Sequence, residues 1–374
     1  MRQPSPAALE IAVEPIAPVP ASVPGAVDGQ PGSLGPRAAD PPADDSPGPG
    51  GLSGRVLRPR TLVSFLLAAV LLVVFARRLD LDVGEVWRTV RTANPVPYAL
   101  AFGVWYGSFF VRAVRWRQML ARVGIDAAHG YRLPGTAGLV EIFVLSWFAN
   151  CIVPAKLGDA YRSYLLKRAT GASFSTALGT IVAERLTDLT VLFLTMSAVG
   201  FAIFRGRLPT EAARAFLLGV ALLVVAVLAL GGMWLTRRTI ERRLPARVRE
   251  QYARLHDAVF RCLRRPEAFF AMGAVIWLGE GLRVWLVGRA VDADLSLSSA
   301  LFVALMGSLL TTVPFTPAGL GLVELGLIGV LTQVMGLPTA LAAAIVLLDR
   351  VVGYWSTVAV GLVLYLRRLR RGAT

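Results

Sequence analysis

Residues 150–162 read NCIVPAKLGDAYR, a run that breaks an otherwise apolar segment with Pro154, Gly158 and the charges of Lys156, Asp159 and Arg162. Proline and glycine interrupt a helix, and charges at such a place need protein or water around them. Much of the pattern returns at residues 316–324, TPAGLGLVE, where Pro317 and Gly321 stand 163 positions after Pro154 and Gly158. Two copies of one broken-helix motif organise the chain.

Working outward, the 374 residues are 55% hydrophobic with mean hydropathy +0.60, and several apolar runs are long enough to cross a bilayer as helix. The fold expected is an all-α polytopic membrane protein. The formal charge of +15 comes from arginines clustered between apolar runs, which follows the positive-inside rule and speaks against nucleic acid as a partner. Two cysteines, Cys151 and Cys262, and two histidines, His129 and His256, give neither a disulfide framework nor zinc-ligand spacing, so no metal or other cofactor is expected. No G-x-S-x-G surrounds a serine, and no catalytic residue is assigned.

Residues 1–54 hold twelve of the 23 prolines and no aromatic residue, and read as a disordered cytoplasmic tail without the pattern of a secretory signal. Residues 55–374 form the transmembrane domain. Spans are expected at about 60–76, 97–114, 177–204, 216–235, 269–287 and 340–366. Amphipathic interfacial helices fall at 79–91 and within 237–265, the second with Val248, Tyr252, Leu255, Val259 and Leu263 on one face. Arg112, Arg115, Trp116 and Arg117 suit a headgroup boundary. Ten arginines in 237–265 place that loop inside, which makes 138–169 a re-entrant hairpin from the cytoplasmic side and 300–337 a second one from outside. Both termini are then cytoplasmic, in the plasma membrane.

Each half, about 60–205 and 214–370, thus reads as three spans plus one re-entrant helical hairpin, and the halves are inverted. Offsets agree: Arg115 to Arg283 is 168, Gly158 to Gly321 is 163 and Arg185 to Arg350 is 165. Inverted repeats with broken helices are the architecture of alternating-access transporters, and a helix start at a break offers unpaired N–H groups to an anion. Glu184 and Asp188 share a helix face with Arg185 rotated off it; Glu280 with Arg283, and Asp349 with Arg350, sit in later spans. Such groups read as ligand-binding or as a structural salt-bridge network, and Arg115 and Arg162 as phosphate-binding forks or as side chains snorkelling to the interface. Trp105, Trp116, Trp147, Trp234, Trp277, Trp285 and Trp355 read as anchors or packing. Gly319 and Gly321 do not make a dinucleotide loop, because Glu324 stands at the third glycine.

The set Arg115-Trp116, Asn150, Pro154, Gly158, Asp159, Arg162, Glu184-Arg185 with Asp188, Pro317, Gly319, Gly321, Glu324 and Asp349-Arg350 with Tyr354 resembles the lysylphosphatidylglycerol synthase transmembrane region family, also described as flippase-like, over about 60–370. Asp159 stands where glutamate is expected, and Ala318 where a second glycine is. The resemblance implies movement of an aminoacylated phospholipid between leaflets, made by a separate soluble domain; no such domain is expected after Leu366. The substrate-binding set expected is Arg115, Asn150, Pro154, Gly158, Asp159, Arg162, Glu184, Arg185, Asp188, Glu280, Arg283, Pro317, Gly319, Gly321, Glu324, Asp349 and Arg350, serving a phospholipid or lipid-linked anionic intermediate. A membrane enzyme or accessory subunit of polyprenyl-phosphate, hopanoid or aminoacyl-lipid metabolism, and a scaffold without transport, remain the alternatives.

Overall fold

The computed structural model describes residues 82–152, 157–204, 210–311 and 319–372. The tail at 1–54, the span at 60–76, and Pro154, Pro314, Pro317 and Ala318 lie outside the described residues.

Asp82 accepts from the Glu85 amide and starts α1 (Val83–Arg91), and Asn94 accepts from Val96 and starts α2 (Pro95–Arg122), with Pro95 at the first helical position where its missing N–H costs nothing. Then follow α3 (Thr136–Ile152), α4 (Gly158–Thr170), α5 (Phe174–Phe204), α6 (Thr210–Leu235), α7 (Arg237–Arg243) and α8 (Ala246–Leu263). The chain continues with α9 (Glu267–Ala290), α10 (Leu297–Leu310), α11 (Leu322–Gly329), α12 (Thr339–Arg350) and α13 (Ser356–Gly372). The two last breaks are π turns, Val330–Val334 after α11 and Val351–Trp355 between α12 and α13. Among the described residues the fold is all-helical.

Among the described residues four helices are long and apolar enough to cross a membrane: Phe174–Phe204, Phe216–Leu235, Glu267–Ala290 and Thr339–Arg370. They contain the spans expected at 177–204, 216–235, 269–287 and 340–366. The 28-residue α2 has the length, but Arg112, Arg115, Arg117 and Arg122 dilute its apolar character. The α6 helix leaves Leu217, Val225, Leu228 and Leu235 more than 60% exposed, a lipid-facing surface by its chemistry. The helices α3 and α10 are also apolar, but their 17 and 14 residues span only about 25 and 21 Å at 1.5 Å per residue. That falls short of a bilayer core of about 30 Å.

At the centre, α2 and α9 run antiparallel. The Asn94 amide donates to the Ala290 carbonyl at 2.7 Å at one end, and at the other Arg122 donates to the carbonyls of Cys262 and Arg265. The buried face of α2 carries Ala101, Trp105, Phe109, Arg112, Trp116 and Met119, three or four apart. The amphipathic helices cross over: α1 packs on α12 and α8 on α5. Small residues permit this closeness. A methyl on Gly179 of α5 would lie 2.6 Å from the Leu255 carbonyl oxygen of α8, and one on Gly281 of α9 would lie 2.7 Å from Leu301 of α10. The face expected of α8 is met in part: Val259 is buried, Leu263 packs against the core and the Leu255 backbone meets Gly179, while Val248 is 47% exposed and His256, Ala258 and Cys262 join the buried side.

Candidate functional site

Among the described residues twelve charged side chains from six helices pair inside this bundle: Arg112, Arg115, Arg162, Arg185, Arg283 and Arg350 with Asp159, Glu184, Asp188, Glu280, Glu324 and Asp349. Six guanidinium groups face six carboxylates, so the set is neutral when all are ionised. Neutrality is what a low-dielectric interior requires of buried ions, each of which is expensive to leave alone.

The tightest part lies between α2, α4 and α5. Arg115, with no exposed surface, donates to both oxygens of Asp188 at 2.6 and 3.0 Å and to Glu184 at 3.1 Å. Arg162 donates to the other Glu184 oxygen at 2.8 Å, and its guanidinium is held between the rings of Trp116 and Phe143 at 4.8 and 4.3 Å. A cation flanked by aromatic faces gains electrostatically where water is excluded. Trp116 is itself fixed by its indole N–H, which donates to Thr180 at 3.0 Å. Arg115, Trp116 and Arg162 are therefore interior groups. The headgroup-boundary and snorkelling readings give way because carboxylates on α5 meet these arginines inside the protein.

A second group joins α2, α9 and α12. Glu280 accepts from Arg112 at 2.9 Å with one oxygen and from Arg283 at 3.1 Å with the other, and Arg283 also donates to Asp349. Arg112 lies over Trp147 at 5.0 Å and Arg283 over Trp105 at 5.1 Å. Asp349 thus pairs with Arg283 and not with its neighbour Arg350.

The glycine amides where the chain resumes after each break are bonded within the protein. The Gly158 amide donates to Asn150 Oδ1 at 2.8 Å, and the Gly321 amide to Glu324 Oε2 at 2.7 Å. Gly158 is also a packing residue, since a methyl there would lie 2.0 Å from the Ser146 carbonyl oxygen. Gly319 and Gly321 have φ of +72° and +87°, a region that side chains with a Cβ enter at a cost. Arg185 grips Asp159 with two hydrogen bonds, 2.9 and 2.7 Å, whereas Arg350 approaches Glu324 through Nε alone, 2.7 Å apart but off the hydrogen-bond axis.

Between these groups is a cavity of about 590 Å³. Of the expected site residues, Asn150, Asp159, Arg185, Asp188, Glu280, Arg283, Asp349 and Arg350 line it. Arg115, Arg162 and Glu184 stand behind the wall and hold Asp188 and the helices in place. Gly158, Gly319, Gly321 and Glu324 shape the breaks beside it, and Pro154 and Pro317 lie outside the described residues. Arg112, Trp105, Trp147 and Trp277 also line the cavity, although the sequence reading gave them to the interface or to packing. One signal pointed to Arg112: it precedes its partner Glu280 by 168 residues, the offset that separates Arg115 from Arg283.

That offset recurs in the contacts. Arg115–Glu184 and Arg283–Asp349 both pair, at offsets of 168 and 165, and so do Asp159–Arg185 and Glu324–Arg350, at an offset of 165. Where the first half has Arg162 and Asp188, the second has Leu327 and Gly353.

The chain is similar to known proteins of two kinds. The UPF0104 membrane protein MJ1078 of Methanocaldococcus jannaschii is 30% identical over 221 residues, 58% of this chain and 93% of that protein. A UPF0104 membrane protein of Methanothermobacter thermautotrophicus is 24% identical over 319 residues, covering 79% of this chain and 90% of the relative. Glycosyltransferase AglD of Haloferax volcanii is 24% identical over 344 residues, covering 80% of this chain but 53% of AglD. The model of the lysylphosphatidylglycerol synthase transmembrane region matches residues 61–361. With its apolar helices and its paired charges in the bundle interior, the chain is a multi-pass membrane protein and belongs to the lysylphosphatidylglycerol synthase transmembrane region family.

Proposed function

We propose that the protein moves a phospholipid or a lipid-linked anionic intermediate across the membrane, its headgroup passing through the cavity while its chains stay in lipid. The observation that carries this reading is the cavity: about 590 Å³, walled by both halves of the chain and lined by charges of both signs and three indoles. Its size suits a headgroup. Acidic and basic walls replace the water that a phosphate and its substituents leave behind. The antiparallel crossing of α2 and α9 and the recurrence of ion pairs at offsets of 165 and 168 support two inverted repeats, with α3–α4 and α10–α11 as re-entrant hairpins entering from opposite faces. Alternating access would then rock one half against the other around the cavity. A plasma-membrane location with both termini in the cytoplasm completes the proposal.

The test is reconstitution into liposomes containing, in turn, a panel of fluorescent phospholipids and a polyprenyl phosphate. Wild-type protein should equilibrate at least one lipid between leaflets faster than empty liposomes, and Glu280→Ala should slow it. Rates equal to those of empty liposomes across the whole panel would end the translocase reading.

A second reading has one specific observation in its favour: a protein named as a glycosyltransferase aligns with most of this chain over about half of its own length. The chain would then serve lipid-linked sugar metabolism, as an enzyme or an accessory subunit. Lipid extracts of a deletion strain separate the two, because a missing glycolipid favours this role and a normal product on the wrong leaflet favours translocation.

A further inference from the structure

Arg185 and Arg350 occupy equivalent places, 165 residues apart, each beside the cavity and each facing a carboxylate in the first turn of a short helix. Their bonding differs. Asp159 holds Arg185 with both oxygens, a bidentate grip that satisfies the planar fork. Arg350 has only the off-axis approach of Nε to Glu324, and its Nη2 is the one terminal guanidinium nitrogen that is buried without a hydrogen-bond partner among the described residues.

The carboxylates differ as well. Glu324 Oε2 accepts from the Gly321 amide at 2.7 Å, in the first turn of α11, where the helix dipole favours negative charge. Glu324 is therefore stabilised by the backbone even without Arg350. In the first half the corresponding amide, that of Gly158, is taken by Asn150. One turn beyond each arginine the halves differ again: Asp188 follows Arg185, but Gly353 follows Arg350 and lies in the π turn Val351–Trp355. At that place the second half thus offers Arg350 no carboxylate, and the Arg283 guanidinium stands 3.2 Å from where a Cβ on Gly353 would be.

We infer that Arg350 is the cavity's docking point for a phosphate oxyanion, which takes the guanidinium from Glu324 while Glu324 stays behind on the Gly321 amide. Arg185 keeps its carboxylate and stays a fixed part of the cavity wall. Two oxygens of a phosphate supply the fork with the paired acceptors that Glu324 does not, which is the geometry arginine recognises best. This assignment rests on the translocase reading only for the identity of the molecule that carries the phosphate.

The test is arginine footprinting with phenylglyoxal on the wild-type full chain in a phosphate-free maltoside detergent, read by mass spectrometry. The probes are phosphatidylglycerol, farnesyl phosphate and inorganic phosphate. Arg350 should be protected at lower probe concentration than Arg185. Protection by inorganic phosphate at the same concentrations as the two lipids marks a free-anion site, whereas protection by the lipids alone marks a headgroup site; both support Arg350 as the docking point. Equal or preferential protection of Arg185, or no protection of Arg350 by any probe, overturns the inference. Binding followed by tryptophan fluorescence adds direction: Glu324→Gln should tighten the protecting probe about tenfold, equivalent to about 1.4 kcal/mol, and Arg350→Gln should weaken it by at least as much. A Glu324→Gln protein that folds and binds more weakly also overturns it. If that variant does not fold, the wild-type footprint decides alone. Failure here is distinguishable from failure of the translocase reading: a protected Arg350 with no lipid movement in liposomes removes only translocation, and lipid movement with an unprotected Arg350 removes only this site.

Discussion

Arg115 and Arg283 stand 168 residues apart, on two antiparallel helices, and hold their carboxylates differently. In the first half Arg115 is shared by Glu184 and Asp188, Arg162 locks Glu184 from the other side, and two aromatic rings enclose Arg162. In the second half Arg283 bridges Glu280 and Asp349, glycine replaces the Asp188 position, leucine replaces the Arg162 position, and π turns interrupt the helices nearby. Both sets alternate two arginines with two carboxylates, since Glu280 is shared by Arg112 and Arg283 as Glu184 is by Arg115 and Arg162; they differ in the helices they join, α2, α4 and α5 in the first and α2, α9 and α12 in the second.

The comparison is broken or sharpened first by Glu184→Ala and Asp349→Ala. Glu184 is buried between two arginines, and its loss leaves Arg162 without a carboxylate while Arg115 keeps Asp188, so a destabilisation of about 3–5 kcal/mol is expected. Asp349→Ala leaves Arg283 on Glu280 and should cost about 1.5–3 kcal/mol, the range for a hydrogen bond to a charged group. Thermal unfolding of the purified variants measures both. Equal losses would mean that the two sets are equivalent after all.

Glycine at the two breaks gives a middle-sized effect. Gly158→Ala drives a methyl into the Ser146 carbonyl and should cost about 3 kcal/mol through overpacking. Gly321→Ala meets a positive φ and should cost about 1–2 kcal/mol. If Gly321→Ala proves the more damaging in the same unfolding assay, the second break is as tightly built as the first.

The smallest effect is at the loop after α2. There Asp126 accepts from the His129 side chain at 2.6 Å and from its amide at 3.0 Å, and the side-chain bond holds the Asp126 carboxyl below the usual carboxylate range. The folded value lies below the unfolded one, so the contact contributes at pH above the usual carboxylate range and is lost as pH falls through the folded value. The second half has Asp294 and Leu297 at these places, and hence no histidine. NMR titration of Asp126 should show an upward shift in His129→Ala, and an unchanged midpoint would remove this difference between the loops.

Much of the bundle was legible in the sequence because hydropathy and helical spacing are local properties. The apolar runs at 177–204, 216–235, 269–287 and 340–366 announce themselves whatever surrounds them, and so does the shared spacing of the two broken motifs. The cavity was legible in part: eight of its lining residues stood out as charges or as an amide where apolar side chains were expected. Arg112 and the indoles of Trp105, Trp147 and Trp277 did not, because an arginine or tryptophan near a helix end looks the same in sequence whether it faces headgroups or a carboxylate on another helix.

The sequence by itself determined a polytopic helical membrane protein, two broken-helix motifs at equal spacing and the positions of the interior charges. Which charges pair was decided only by tertiary structure. Asp349 passes over its neighbour Arg350 for Arg283, and Glu184 gathers two arginines from different helices. The physical reason is that ionic pairing in a low-dielectric interior follows the distance and orientation between helices, which close packing at Gly158, Gly179 and Gly281 sets.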